Sequence, residues 1–390
     1  MMWAVLRISL LACVMWGSGT SWVYAQATFT PLGFFGGTDS RAYDVSADGS
    51  VVVGTVLNLN NSTRRVFHWT AGQSLLNGNG DFPVAVSADG RVVVGTHLTP
   101  TFSIEAFRWT VGGSFESLGV LPGAGSTRSD AFDVSADGTV VVGGGGIGVN
   151  REAFRWTAET GMVSLGDLPG GPVDGGAFGV SADGNVVVGQ GHTATTGQAF
   201  RWTAETGMVG IPFPPGGNSG LARRVSADGS VVVGASAFPQ PGGGSAFEAF
   251  RWTESEGMIG LGDLPGGLIF SDAKDVSQDG SVIVGVSNTP REDGVPLDAA
   301  FYWTEQLGMI NLRDALIAGG ATGLEGWWLF EARGVSADGL TVAGWGRHDG
   351  RMEAFVATVP EPSTVVLTMM GAVGAMVFFY FNARRYPVKT

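Results

Sequence analysis

Short apolar runs ended by a glycine recur along the middle of the chain, and each follows a polar turn. Val51-Val52-Val53-Gly54 comes directly after Val45-Ser46-Ala47-Asp48-Gly49, and the same pairing returns to the end of the repeats. A continuous valine run predicts a strand covered on both faces, and Asp-Gly between two apolar runs predicts a tight hairpin. In residues 152–189, Phe154-Arg155-Trp156 alternates large apolar with polar positions, which predicts a strand with one buried face. Residues 162–168 predict another strand, 177–182 a third and 185–188 a fourth, so one repeat holds four strands.

Seven copies are marked by the turn aspartates Asp48, Asp89, Asp137, Asp183, Asp228, Asp279 and Asp338, spaced by 41 to 59 residues. A period of this size signals a repeat architecture in which no unit buries its own apolar surface alone. The last copy, around Phe355, has no fourth strand after it, while residues 29–37 supply an orphan that matches Leu165-Gly166-Asp167-Leu168-Pro169-Gly170-Gly171. An orphan at the start and a vacancy at the end predict an all-β fold, a seven-bladed β-propeller over residues 28–358 closed by an N-terminal strand. A β-solenoid or sandwich array is the competing architecture.

The composition sharpens this picture. With 35 acidic against 22 basic residues the net charge is -13, which disfavours nucleic acid and anionic membrane surfaces and favours neutral or cationic partners. Residues 1–27 read as a signal peptide, with Arg7, an apolar stretch and the cleavage pattern Ala25-Gln26-Ala27. The sole cysteine, Cys13, falls inside that stretch, so no disulfide is expected in the exported chain. At the other end, residues 359–364 precede an apolar run at 365–381 and a basic tail at 382–390. A 17-residue helix covers roughly 26 Å, the short end of a membrane span, so a C-terminal transmembrane helix is expected.

The order of Val359-Pro360-Glu361-Pro362, the apolar helix and Arg384-Arg385 resembles the PEP-CTERM sorting signal of exported Gram-negative proteins. That resemblance implies processing by an exosortase-type enzyme and a place in the cell envelope or matrix, with the helix in the membrane at least until processing. The repeats resemble the extracellular HAF repeats through Glu-Ala-Phe-Arg-Trp-Thr, the Leu-Gly-Asp-Leu-Pro-Gly-Gly segment and the Val-Ser-Ala-Asp-Gly turn. Glu or Gln stands where that family often has histidine, and the resemblance implies a surface role without a defined activity.

Loops of varied length, at residues 57–64, 235–245, 287–297 and 317–326, are expected on one face and mark a candidate binding surface. The 317–326 loop follows a short helix expected at 312–317 and leads into Trp327-Trp328, which are either sugar-stacking ligand contacts or interblade packing. Asp44-x-Ser46-x-Asp48 resembles the start of a calcium loop, but Ala85, Gly179, Arg224 and Gly334 replace the first Asp in four copies, so a structural turn is expected. His97, His192 and His348 fall in non-adjacent repeats, and no metal or cofactor is expected. Arg108, Arg155, Arg201 and Arg251 recur at one position in four of the repeats and are expected to serve the scaffold. The function these features favour is a non-enzymatic binding or structural propeller at the surface, contacting extracellular polysaccharide or a surface protein. The alternative is a propeller enzyme acting on extracellular glycans.

Overall fold

A computed structural model describes residues 26–360, apart from 72, 78–81, 123–125, 148–149, 241 and 291–295. The expected signal peptide up to Ala25, and Glu361, Pro362, the 365–381 span, Arg384 and Arg385, lie outside the described residues. Among the described residues no helix is long and apolar enough to cross a membrane.

The chain is all-β and propeller-like. Five four-stranded antiparallel sheets and one eight-stranded sheet make up the array, and the latter is two quartets joined by the single pair Arg128 and Ile104. The quartets span residues 39–77, 82–117, 128–164, 175–210, 220–260 and 271–311, with a last one at 328–358. Within each, the strand entering the Asp-Gly turn is followed outward by the valine strand, the Phe-Arg-Trp strand and a short edge strand. The opening strand, Thr28–Gly33, pairs antiparallel with Arg351–Thr358 and takes the edge position in the last quartet, where the sequence leaves a vacancy.

The repeated turn explains itself once its neighbours are placed. Asp48 accepts from Ser46 Oγ at 2.6 Å and from the Ser50 N–H at 3.0 Å, while Ser46 Oγ accepts from Val51 N–H at 3.0 Å. The turn therefore satisfies its own polar groups, and these bonds, Ser46's first, hold the Asp48 carboxyl below the usual range. Gly138 has φ of +72°, and a Cβ there would lie 2.6 Å from Val92 of the preceding quartet. Backbone conformation and close approach both demand glycine.

The turns also bond to each other. The Ala47 N–H donates to Ala88 O, Ala88 to Ala136, Ala136 to Ala182, Ala182 to Ala227, Ala227 to Gln278, Gln278 to Ala337 and Ala337 back to Ala47, all between 2.9 and 3.1 Å. The first strands touch in the same closed circuit and surround the axis.

The valine strands are buried on both faces, with Val52, Val53, Val93 and Val94 at 0 % exposure. Each third-strand Phe, from Phe67 to Phe355, is equally buried. The polar residue after it reaches the turn of the next quartet: Arg108 Nε donates to Gly138 O at 2.9 Å and Arg155 Nε to Gly184 O at 3.1 Å. Arg251 instead pairs with Glu256 of its own quartet. Arg108 and Arg155 thus serve the scaffold by tying neighbouring quartets.

Candidate functional site: the axial cavity

Every first strand carries a break in register one residue before the position of Asp44. It falls between Ala42 and Asp44, Pro83 and Ala85, Ala131 and Asp133, and at the same place in the other four. A bulge leaves one residue unpaired and re-aims its side chain. The seven unpaired residues are Tyr43, Val84, Phe132 and Phe178, then Arg223, Lys274 and Arg333, and all of them line an axial cavity of about 300 Å³. Aromatic and aliphatic residues hold four consecutive quartets, and cations hold the other three. Phe82 and Arg224 complete the lining, so it holds four cations and no carboxylate. The net acidity of the chain favours neutral or cationic partners, but inside this cavity the sign reverses, because net charge is a sum and does not say where the cations lie.

The cationic wall is a chain of ion pairs. Arg223 Nη2 lies 2.7 Å from Asp272, Lys274 Nζ 2.7 Å from Asp272 and 3.3 Å from Glu331, and Arg333 Nε 3.7 Å from Glu331. Burial pushes the Asp272 carboxyl up, but Arg223 and Lys274 outweigh it and hold it below the usual range. Three cations share two carboxylates, leaving one positive charge uncompensated. The Arg333 guanidinium lies over the Tyr43 ring at 5.3 Å, and its Nε has no hydrogen-bond partner.

Beside this wall, Arg41 lies over the Trp345 ring at 4.7 Å and Arg64 over Phe82 at 3.4 Å. Neither has a carboxylate partner among the described residues, and the Nε of each is buried without a hydrogen bond. Burial, reinforced by the neighbouring Arg41 charge, pulls Arg64 below its ordinary range. Of the segment 57–64 expected as a loop, Leu57 and Arg64 are paired strand residues, and Arg64, in the strand Thr63–Thr70, brings it beside this site.

Beneath the cavity three aspartates surround one guanidinium. Arg224 lies 3.9 Å from Asp133 and 3.8 Å from Asp275, and its Nη1 donates to Phe178 O. Each aspartate also ties its quartet to the next: Asp44, Asp133 and Asp275 accept from the N–H groups of Val86, Val180 and Val335, each at 2.8 Å. Burial, with Asp275 adding to it, raises Asp44 to about 8, and burial raises Asp275 to about 6. Burial opposes the Arg224 charge, but Asp133, Asp275 and Asp44 together hold it above its ordinary range. The calcium-loop resemblance dissolves here, since Asp48 closes its own turn while Asp44 points to the axis. Among the described residues no three His, Cys, Asp or Glu side chains gather as a metal site.

Other candidates from the sequence lie elsewhere. Trp327 is 3 % exposed, stacked on His348 at 4.9 Å and edge-on to Phe29 at 5.0 Å. It is core at the closure, not a sugar platform, because the opening strand covers it. Trp328 is partly buried against the sixth quartet and donates its indole N–H to Asp298 O at 2.7 Å. The histidines do not converge: His97 packs on Phe107 and Phe115, His192 pairs with Asp174, and His348 with Glu353. Of the sorting motif, Val359 is fully buried and donates to Leu340 O, and Pro360 packs near Gly319. Ala27, of the expected cleavage pattern, donates to Gly319 O at 3.0 Å.

The seven unpaired positions carry no motif of their own in the sequence. The available signal is variation inside a partly constant frame: one residue of the repeated first strand reads Tyr, Val, Phe, Phe, Arg, Lys, Arg, preceded by Ala in six of the seven copies and followed two positions on by the Val-Ser that opens the turn.

Residues 358–385 match the PEP-CTERM protein-sorting motif, which implies export through an exosortase-type system and association with the cell envelope. No curated protein matches the chain. Among solved structures, the chain is similar to oligogalacturonate lyase from Vibrio parahaemolyticus, at 11 % identity and TM-score 0.57, covering 86 % of this chain and 98 % of that one. It is also similar to the β-propeller domain of the Trilobed protease from Pyrococcus furiosus, at 11 % identity and TM-score 0.53, covering 86 % and 94 %. TolB from Acinetobacter baumannii aligns at 15 % identity and TM-score 0.44 over 70 % of this chain, which spans 62 % of TolB. At these identities the likeness concerns the fold alone.

Proposed function

We propose that the chain is an exported seven-bladed propeller of the HAF-repeat kind. In this reading it is held in the cell envelope or the exopolysaccharide matrix, and it binds a ligand in its axial cavity without transforming it. The seven-membered circuit of turn hydrogen bonds supports the blade count. The observation that carries the binding role is the lining itself: aromatic rings on one side, a partly uncompensated cationic wall on the other, and no carboxylate between them. Sites that fix small ligands combine apolar surface with a few convergent polar groups in this way. Before processing, the helix expected at 365–381 would hold the repeats at the membrane.

The enzymatic alternative draws on Asp44 and Asp275, carboxyls that titrate near neutrality as general acids and bases do. Arg224 lines the cavity and the aspartates do not, which favours binding over catalysis. The test is a panel of extracellular polysaccharides presented to the purified protein, read for retention and for released products. Retention without products, lost in Tyr43→Ala/Phe178→Ala, is the expected result. Product release would replace this reading with the enzymatic one, and retention unaffected by the double variant would move the site off the axis.

A further inference from the structure

The cavity's charge and shape narrow what it takes. We infer that the ligand is an acidic saccharide, entering by a chain end whose carboxylated ring lies in the axial cavity; this rests on the axial binding role proposed above. A carboxylate placed against Arg223, Lys274 and Arg333 would complete the charge balance that Asp272 and Glu331 leave open. It would also lie against the Arg333 guanidinium, which is partly exposed and whose ion pair to Glu331 is long, at 3.7 Å, with no hydrogen bond from its Nε. Charge-assisted bonds to guanidinium are the strong ones, and an uncompensated cation in a partly buried wall is costly without one.

The opposite side sets the shape. Phe132 and Phe178 line it with apolar ring surface, suited to the C–H face of a flat ring and not to a fully hydrated inorganic anion. A volume of about 300 Å³ lies at the small end of ligand pockets, enough for one or two sugar rings and too narrow for a folded partner.

The cations beside the cavity argue for a chain over a single small acid. Arg41 and Arg64 form a second cationic group outside the cavity wall, again without carboxylate partners among the described residues. Two separate groups of uncompensated cations match a ligand that repeats one negative charge per unit. The first unit would sit against the wall and the next beside Arg41 and Arg64.

The test is calorimetric titration of the full chain in mild detergent with digalacturonate, monomeric galacturonate, the neutral disaccharide galactobiose and benzoate. Digalacturonate is expected to bind, to weaken as salt rises, and to exceed galactobiose by about tenfold or more. Arg333→Gln should weaken both uronates, and Arg41→Gln should weaken digalacturonate while sparing the monomer, with melting temperatures reported for each variant. Arg333→Lys, which keeps the charge, should recover part of the loss if Gln perturbs folding. Galactobiose binding as tightly as digalacturonate, or benzoate binding with no saccharide bound, and either lost in Phe178→Ala, would overturn the acidic saccharide and leave the axial site standing. Absence of binding by every probe, or binding indifferent to Arg333→Gln and Phe178→Ala, would overturn both.

Discussion

Asp44 is held in place by two backbone N–H groups, Val45 and Val86, each at 2.8 Å, yet burial among other carboxylates disfavours its charge. The second effect wins, and the carboxyl rises from 3.8 to about 8. A carboxyl raised in the folded state binds a proton that the unfolded chain releases, so its contribution to stability is complete below 3.8 and is lost as pH climbs through about 8. Asp275, raised to about 6, acts in the same direction at lower pH. The melting temperature should therefore fall between about pH 4 and 8. Asp44→Asn, neutral throughout, should flatten that fall and melt above the parent at pH 9. An unchanged pH slope in the variant would assign the titration to other groups. Arg224 is the counterpart: Arg224→Leu leaves three buried aspartates with no cation, and a loss of about 3–5 kcal/mol is expected in denaturant unfolding at neutral pH.

At the scale of the strand, much was legible and one feature was not. Apolar alternation and Asp-Gly turns located the strands, and the helix expected at 312–317 forms as Leu312–Ala318, capped by the Asn311 side chain. The edge strand is shorter than the pattern at 162–168 predicts. Gly161–Ser164 leaves the sheet before Leu165 and Leu168, which are buried from the loop, and an apolar residue anchoring a loop has the same signature as one in a strand. The axial site was hidden for a related reason. Strict alternation sends consecutive residues to opposite faces, so Arg223 and Arg224 read as one inward and one outward. The bulge places both on the cavity wall, and a bulge has no reliable mark in a single sequence. The third-strand phenylalanines show the opposite case, because burial follows directly from their repetition. Phe250→Ala removes a ring with 0 % exposure and should cost about 3–5 kcal/mol in chemical unfolding, whereas Phe102→Ala, at 83 % exposure, should cost almost nothing.

For the molecule as a whole, the decisive contact joins residues more than three hundred positions apart. Thr28–Gly33 covers the last quartet's edge, Ser40 Oγ donates to Gly33 O at 2.6 Å and accepts from the Ala354 N–H at 3.0 Å, and Phe29 packs on Phe355. Ala27 and Val359 meet the ring beside the same helix, Leu312–Ala318, so both ends of the described chain are fixed at one place. In a linear array each unit leans only on its neighbours, and losing an end strand frays that end alone. In a closed circuit the same loss exposes two quartets and releases the constraint on all the others. Deleting residues 28–33 should lower the melting temperature far more than deleting the edge strand 161–164, and should broaden a single transition into a staggered one. Equal shifts for the two deletions, with the transition still sharp, would mean that the opening strand covers an edge without holding the ring.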